Sequence, residues 1–430
     1  VPSTPFDLNT VGFAHGGEAI AKKEGKVIFI RGALPDEKVS VQLTEEHRRY
    51  ARGQLLEVLV PSPHRRPLDC LQESAGCGGC GMRMVKGLKG LELKAKAAVS
   101  TAEKLSPTLN WPRPEIHPLS QYDGVRARLR LHLEDGRLGF YARASHSLLP
   151  AAECKNANPK LIEVISNIES AIGSRKEKSQ PEWLLLEIVD NATFLFWPGP
   201  VSHEQQQKLG NLVQTSQLEG VRIKNRQCDI IFGSKWITES CDVGDKPVKF
   251  YRKIGTFGQA NPEANAQIRA ALLKILQPLH PSRILELFSG SGNLTIPSAL
   301  NTTEIVAVES EKDALDGLIK TVEANQLYNI RGYRRDLNSG LTKHLIDFQP
   351  DTVLLNPPRE GARQLMKQIA RLEPQNILYL SCSPPHLGRD AAALGEMYKI
   401  NKLEIFDNFP RTPHVEMLAH FSKRKIAHDI

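Results

Sequence analysis

The sequence predicts an α/β protein whose C-terminal part is a Rossmann-like, doubly wound parallel sheet. A small OB-like β-barrel and a mixed α+β region precede it. Three observations predict this. From about Gly255 onward, β-like runs alternate with amphipathic helical stretches, as in a parallel sheet covered by helices. A glycine-rich turn, Phe288-Ser289-Gly290-Ser291-Gly292-Asn293, joins the first of these runs to a helical pattern. Before that, short β-like runs crowd the segment from Asn9 to Val60, which suits a small barrel.

The bulk properties fit an ordinary globular chain. The 430 residues are 40% hydrophobic and 24% charged, enough for two or three cores. The formal net charge is +8, which favours an acidic partner such as nucleic acid. No apolar run is long enough to span a bilayer. Val1 to Thr10 lacks the charged-then-apolar pattern of a secretory leader. The expected compartment is therefore the cytoplasm. Seven cysteines in that reducing setting point to catalysis or metal binding before disulfides.

In the first region (1–62) the β-like runs are Lys26–Ile30, Lys38–Leu43 and Gly53–Val60. Lys22, Lys23, Lys26, Arg31, Arg48, Arg49 and Arg52 crowd this segment, as a solvated rim or a nucleic-acid surface. Pro61 to Pro67 reads as a linker. The central region (63–253) carries Cys70, Cys77, Cys80 and Cys154, then a basic helical stretch from Gly87 to Leu105. Strands follow around a Glu134-Asp135-Gly136-Arg137 turn, and again at Trp183–Val189 and Thr193–Trp197. The third region (254–430) should contain strands Arg283–Leu287, Glu304–Glu309, Ile330–Arg334, Thr352–Leu355 and Asn376–Ser381. Helices Glu311–Asn325 and Arg363–Leu372 lie between them, and Lys402–Phe406 with Val415–Phe421 form a closing antiparallel hairpin.

A strand, a glycine turn and a helix make a nucleotide cradle. Gly290 and Gly292 allow the tight turn. The third glycine of the dinucleotide fingerprint is missing, which argues for an adenosyl ligand without phosphates. Glu309 ends the next strand, where a carboxylate can accept ribose hydroxyls. Asp336 ends the third, within reach of an adenine amine. Without their surroundings these would be a surface turn and two surface acids.

Three more motifs fall at strand ends of the same sheet. They are Leu355-Asn356-Pro357-Pro358-Arg359-Glu360-Gly361, then Leu380-Ser381-Cys382-Ser383-Pro384-Pro385-His386, and Phe409-Pro410-Arg411-Thr412-Pro413-His414-Val415-Glu416. With Phe257-Gly258-Gln259-Ala260-Asn261 they resemble the RNA uracil-5-methyltransferase family over nearly the whole chain. The nearest subgroup is the bacterial iron–sulfur-containing enzymes that modify large-subunit ribosomal RNA. The first region looks like that family's TRAM domain.

The resemblance implies S-adenosylmethionine as cofactor, RNA (ribosomal) as partner and no obligate protein partner. It implies Cys382 as nucleophile and Glu416 as base. Gln259, Phe288, Asn293 and Asn356 join Gly290, Gly292, Glu309 and Asp336 in the expected cofactor pocket, with Gln259 bonding either the cofactor or the flipped base. A thiolate on carbon 6 makes carbon 5 of uracil nucleophilic, and a base then removes the carbon 5 proton. The face of the ring must be reached, so the base must leave its stack. Arg359 or Arg389 is expected to favour the thiolate.

Asn356 stands where the family usually has Asp, and Ser383 where it commonly has Asn. Asn-Pro-Pro also suits enzymes that methylate base amines, and an RNA-binding assembly factor is a further class. For Cys70, Cys77, Cys80 and Cys154, spacing alone leaves iron–sulfur and zinc open. The resemblance implies a [4Fe-4S] cluster. Cys228 and Cys241 have no partner motif.

Overall fold

The computed structural model describes residues 4–173 and 181–424. Val1–Ser3, part of the stretch read for a leader, lie outside the described residues.

The first region closes into a five-stranded barrel. Its strands are Phe6–Phe13, Glu18–Lys23, Lys26–Arg31, Lys38–Glu46 and Tyr50–Val60. Closure comes from the first strand pairing with the fourth, Leu8 opposite Val39. Alternate residues point inward, so Leu8, Ala19, Ala21, Ile28, Ile30, Val39, Val41 and Ala51 fill the interior. The basic rim is partly neutralised within the barrel: Lys26 pairs with Glu46, and Arg52 with Glu18.

The central region is a seven-stranded mixed sheet backed by helices Pro159–Ile172 and His203–Gln214. The turn expected at Glu134–Arg137 is present. Asp135 and Gly136 both have positive φ, 48° and 78°, the pair a tight hairpin needs. A two-stranded ribbon, Trp236–Val243 with Lys246–Lys253, leads into the third region.

The C-terminal sheet has eight strands, in the order 330–334, 304–309, 283–287, 352–355, 376–381, 416–423, 398–406, 115–117. The first five are parallel to one another. The five strands read from the sequence have the expected bounds. The closing pair is longer than expected, Tyr398–Phe406 and Glu416–Lys423. Its second strand inserts between the first and Asn376–Ser381, antiparallel to both.

The segment 87–117 belongs to this layer, although the sequence suggested the central region. Helix Gly87–Leu105 turns Leu91, Ala95, Ala98 and Ala102 onto the C-terminal core. It passes so close to helix Pro384–Ala391 that a Cβ on Gly388 would lie 2.7 Å from the Ala102 backbone. Glu115–His117 then adds an edge strand. Three residues are too few to show a β periodicity, and the helix's small-residue face does not name the sheet it covers.

Candidate active site

The C-terminal ends of the parallel strands form one edge, where open α/β sheets take their ligands. On leaving Arg283–Leu287 the chain turns sharply. Phe288 has φ 64°, Gly290 56° and Gly292 93°. The two glycines are needed for different reasons. A Cβ on Gly290 would meet nothing within 4 Å, so that residue fronts open space; one on Gly292 would lie 2.7 Å from Leu318 Cδ1.

Glu309 ties the loop down. Its Oε2 accepts from the Gly290 N–H at 2.9 Å, and its Oε1 from the N–H groups of Ser310 and Glu311 at 2.7 and 2.8 Å. Asn293 is engaged elsewhere: it exchanges amide bonds with Asn265 at 2.8 and 3.1 Å and accepts from Arg269 at 2.9 Å. It tethers the loop to helix Pro262–Leu276. Asp336 caps a short turn after Ile330–Arg334, accepting from Asn338 N–H at 2.9 Å. The Asn356 N–H donates to Leu287 O at 3.3 Å, joining the two loops.

One acid at this edge escaped the sequence reading. Glu286 is 1% exposed, and neither carboxyl oxygen has a hydrogen-bond partner. Burial pushes its pKa up to about 8, opposed by the nearby Thr295 hydroxyl and helped by the Glu309 charge. An unpartnered carboxyl this deeply buried and mostly neutral at pH 7, close enough to Glu309 to sense its charge, is a feature of the strand that leads into the glycine turn. The available signal was a glutamate at a core position of a strand.

Sheet register brings the chemical pair together. Ser381 lies opposite Met417, so Cys382 and Glu416 are the next residues at that end of two adjacent strands. They sense each other. Burial and then the Glu416 charge push the Cys382 thiol up, while the Arg359 guanidinium draws it down, by its charge and as a donor. Arg389 is turned away, donating to Asp390 at 2.9 Å and to Glu360 O at 2.7 Å. Arg359 is thus the cation at the thiol. Glu416 is buried, which pushes its pKa up to about 7; Asn408 and Arg359 oppose the shift. Asn408 Nδ2 also donates to Gln259 Oε1 at 2.7 Å. Gln259, Asn408, Glu416, Cys382 and Arg359 therefore form one connected group. Asn408 was not anticipated, because no motif marks it.

The loop from Asp407 to Val415 is held from several sides. Lys94, on the helix Gly87–Leu105, donates to Asp407 at 2.5 Å, Phe409 O at 3.3 Å and His414 O at 3.1 Å. Both charged side chains are 2% exposed. Met82 N–H donates to Arg411 O at 2.9 Å, and Arg411 to Val85 O at 3.2 Å. Asn156 Nδ2 reaches Pro410 O at 3.3 Å.

Cys70, Cys77, Cys80 and Cys154 converge beside this loop. Burial is the main cause raising the thiols of Cys77 and Cys80, and the neighbouring cysteines add to it. Asn156 Nδ2 lies 3.7 Å from Cys80 Sγ. Among the described residues, no three of these sulfurs lie mutually within 4.8 Å. In a zinc tetrahedron with bonds of ~2.3 Å, sulfurs sit about 3.8 Å apart. Cys241 lies apart, its sulfur accepting from Arg269 at 3.0 Å.

A glycine-turn cofactor edge on this sheet, with a thiol and a carboxyl beside it, defines an S-adenosylmethionine-dependent methyltransferase. A family model described as tRNA (uracil-5-)-methyltransferase matches residues 126–424, and a TRAM domain model matches residues 8–56. The 23S rRNA (uracil(1939)-C(5))-methyltransferase RlmD of Shewanella sp. (strain ANA-3) is 30% identical over 425 residues, 96% of this chain and 94% of that one. The protein of the same name from Shewanella sp. (strain W3-18-1) is also 30% identical, covering 98% and 97%. A solved Pyrococcus abyssi tRNA (uracil-54, C5)-methyltransferase, in complex with S-adenosyl-L-homocysteine, shares the fold. Its TM-score is 0.72 at 19% identity, covering 96% of this chain and 100% of that one. The chain belongs to the tRNA (uracil-5-)-methyltransferase family. It is accordingly an RNA (uracil-5-)-methyltransferase with S-adenosylmethionine as methyl donor.

Proposed function

We propose that the protein methylates carbon 5 of a uridine in 23S ribosomal RNA, through a transient covalent bond from Cys382 to carbon 6. The observation that carries this reading is the register that sets Cys382 and Glu416 side by side, with Arg359 over the thiol.

Arg359 favours the thiolate, which adds to carbon 6 and leaves an enolate with electron density on carbon 5. Bound S-adenosylmethionine supplies the electrophilic methyl group. Gly290, Gly292, Phe288, Glu309 and Asp336 would hold it at the strand ends. Glu416 then takes the carbon 5 proton, the carbon 6–sulfur bond breaks, and the electron pair returns to Cys382. Asn356 and Gln259 face the base as neutral amides. The ribosomal target rests on the two Shewanella relatives, matched nearly end to end, and goes with a cytoplasmic site of action.

We further assign a [4Fe-4S] cluster to Cys70, Cys77, Cys80 and Cys154. The nearness of the four thiols, which sense one another, and the family resemblance support it. The division of labour would be RNA capture by the barrel (1–62), bracing by the cluster region (63–253) and chemistry by the remainder (254–430). The segment 87–117 is shared, since it packs on the last of these.

The test is methyl incorporation into a 23S rRNA transcript, with the modified position mapped. Cys382→Ala should abolish incorporation while leaving cofactor affinity intact. A transcript containing 5-fluorouridine should accumulate a covalent complex, because fluorine cannot leave as a proton. An active enzyme that forms no such complex, or keeps its activity without Cys382, is not using this mechanism.

A further inference from the structure

We propose that Asn408 is a positioning residue for base selection: by occupying the oxygen of Gln259, it leaves that amide only hydrogens to offer, so the site accepts a pyrimidine carbonyl and rejects an exocyclic amine. The inference deepens the uracil reading above and rests on it.

Asn408 is 2% exposed. Its Nδ2 donates to Gln259 Oε1 at 2.7 Å and faces Glu416, while its Oδ1 is buried with no partner. Turned over, the amide would set its oxygen against the Gln259 oxygen and the Glu416 carboxylate. Acceptors with no hydrogen between them repel. In its ionised form, the one the base step needs, the carboxylate therefore fixes Asn408, and Asn408 fixes Gln259. Gln259 makes no other side-chain hydrogen bond among the described residues, so Nε2 remains to meet a ligand.

Both ends of this relay are rigid. Asp407, just before Asn408, is locked by Lys94. Gly258, just before Gln259, lies so near Arg252 and Glu187 that a Cβ would come within 2.9 and 3.0 Å of them. A uracil carbonyl accepts from Nε2. Cytosine would bring an amine against an amine, leaving buried donors unmatched.

The experiment uses the full chain and the 23S rRNA transcript, with the mapped uridine intact or replaced by cytidine. RNA affinity is measured in the presence of S-adenosylhomocysteine. Asn408→Asp offers Gln259 only acceptors, so its amide turns and presents oxygen to the base. The preference for uridine over cytidine should fall about tenfold or more, at unchanged S-adenosylhomocysteine affinity. Asn408→Leu, which adds no charge to the interior, releases Gln259 and should narrow the preference in the same direction. An unchanged preference in Asn408→Leu overturns the proposal, whether or not Asn408→Asp folds. A wild-type protein that neither methylates nor traps uridine overturns the uracil reading itself. Normal trapping with an unmoved preference removes only the role of Asn408.

Discussion

Glu416 shows how a single side chain can be costly to the fold and useful to the reaction. Its carboxyl titrates at about 7 in the folded chain because it is buried, against about 4.3 for an unperturbed glutamate. The folded state therefore holds a proton that the unfolded state has released, and stability falls as pH rises through that interval. Glu416→Gln should be more stable than the parent at pH 8, by on the order of 3–4 kcal/mol, and nearly equal to it at pH 4. Denaturant unfolding at the two pH values reads this directly. The same variant should lose about 10²–10⁴-fold in turnover. In the parent, single-turnover rates should rise through pH 7 as the base ionises, a limb the variant lacks. Cys382 and Glu416 were legible in the sequence because each sits in a motif. Asn408 and Glu286 were not. One is recognisable only by its partners across the loop, the other only by having none.

At the scale of elements, the buried pair of Lys94 and Asp407 fastens a helix from early in the chain to the loop that leads into Glu416, the proposed base. Breaking such a pair leaves a charge stranded in the interior. Lys94→Met should destabilise by about 3–5 kcal/mol, and a second change, Asp407→Leu, should restore much of that. Thermal or denaturant unfolding of the single and double variants gives the comparison. The glycine turn makes a second prediction. Gly290→Ala meets open space, so beyond about 1 kcal/mol of left-handed backbone strain it should chiefly weaken cofactor binding, whereas Gly292→Ala adds a clash with Leu318 and should lower stability more, by roughly 2–4 kcal/mol. Titration with S-adenosylhomocysteine and unfolding curves separate the two. The five parallel strands could be read from the sequence because each is a short apolar run followed by a turn. The edge strand Glu115–His117 could not, since its place depends on a neighbour far along the chain, Glu404–Phe406.

Over the whole molecule, the cysteine group and the catalytic loop are mechanically joined. Asn156, close after Cys154, bonds Pro410 O, and Met82, close after Cys80, bonds Arg411 O. Cys77→Ser should bleach the brown protein expected from anaerobic purification and lower turnover more than cofactor affinity. Iron content and single-turnover rates would check it; a zinc-containing colourless parent would contradict it. The barrel offers less unpaired positive charge than its composition suggests, since Lys26 and Arg52 already face acids. Replacing Arg48 and Arg49 with alanine should reduce the salt dependence of RNA binding by about one to two counterions.

The place of the final strand has a consequence for how the enzyme is made. Residues 416–423 slide into a gap between two strands already synthesised. A nascent chain can assemble the glycine turn and its acids while this slot is still empty. It then resembles a finished methyltransferase yet lacks both the proposed base and an interior strand of its sheet. Competence arrives abruptly, when residues 416–423 emerge, so termination ahead of them should yield inert protein rather than a sluggish enzyme.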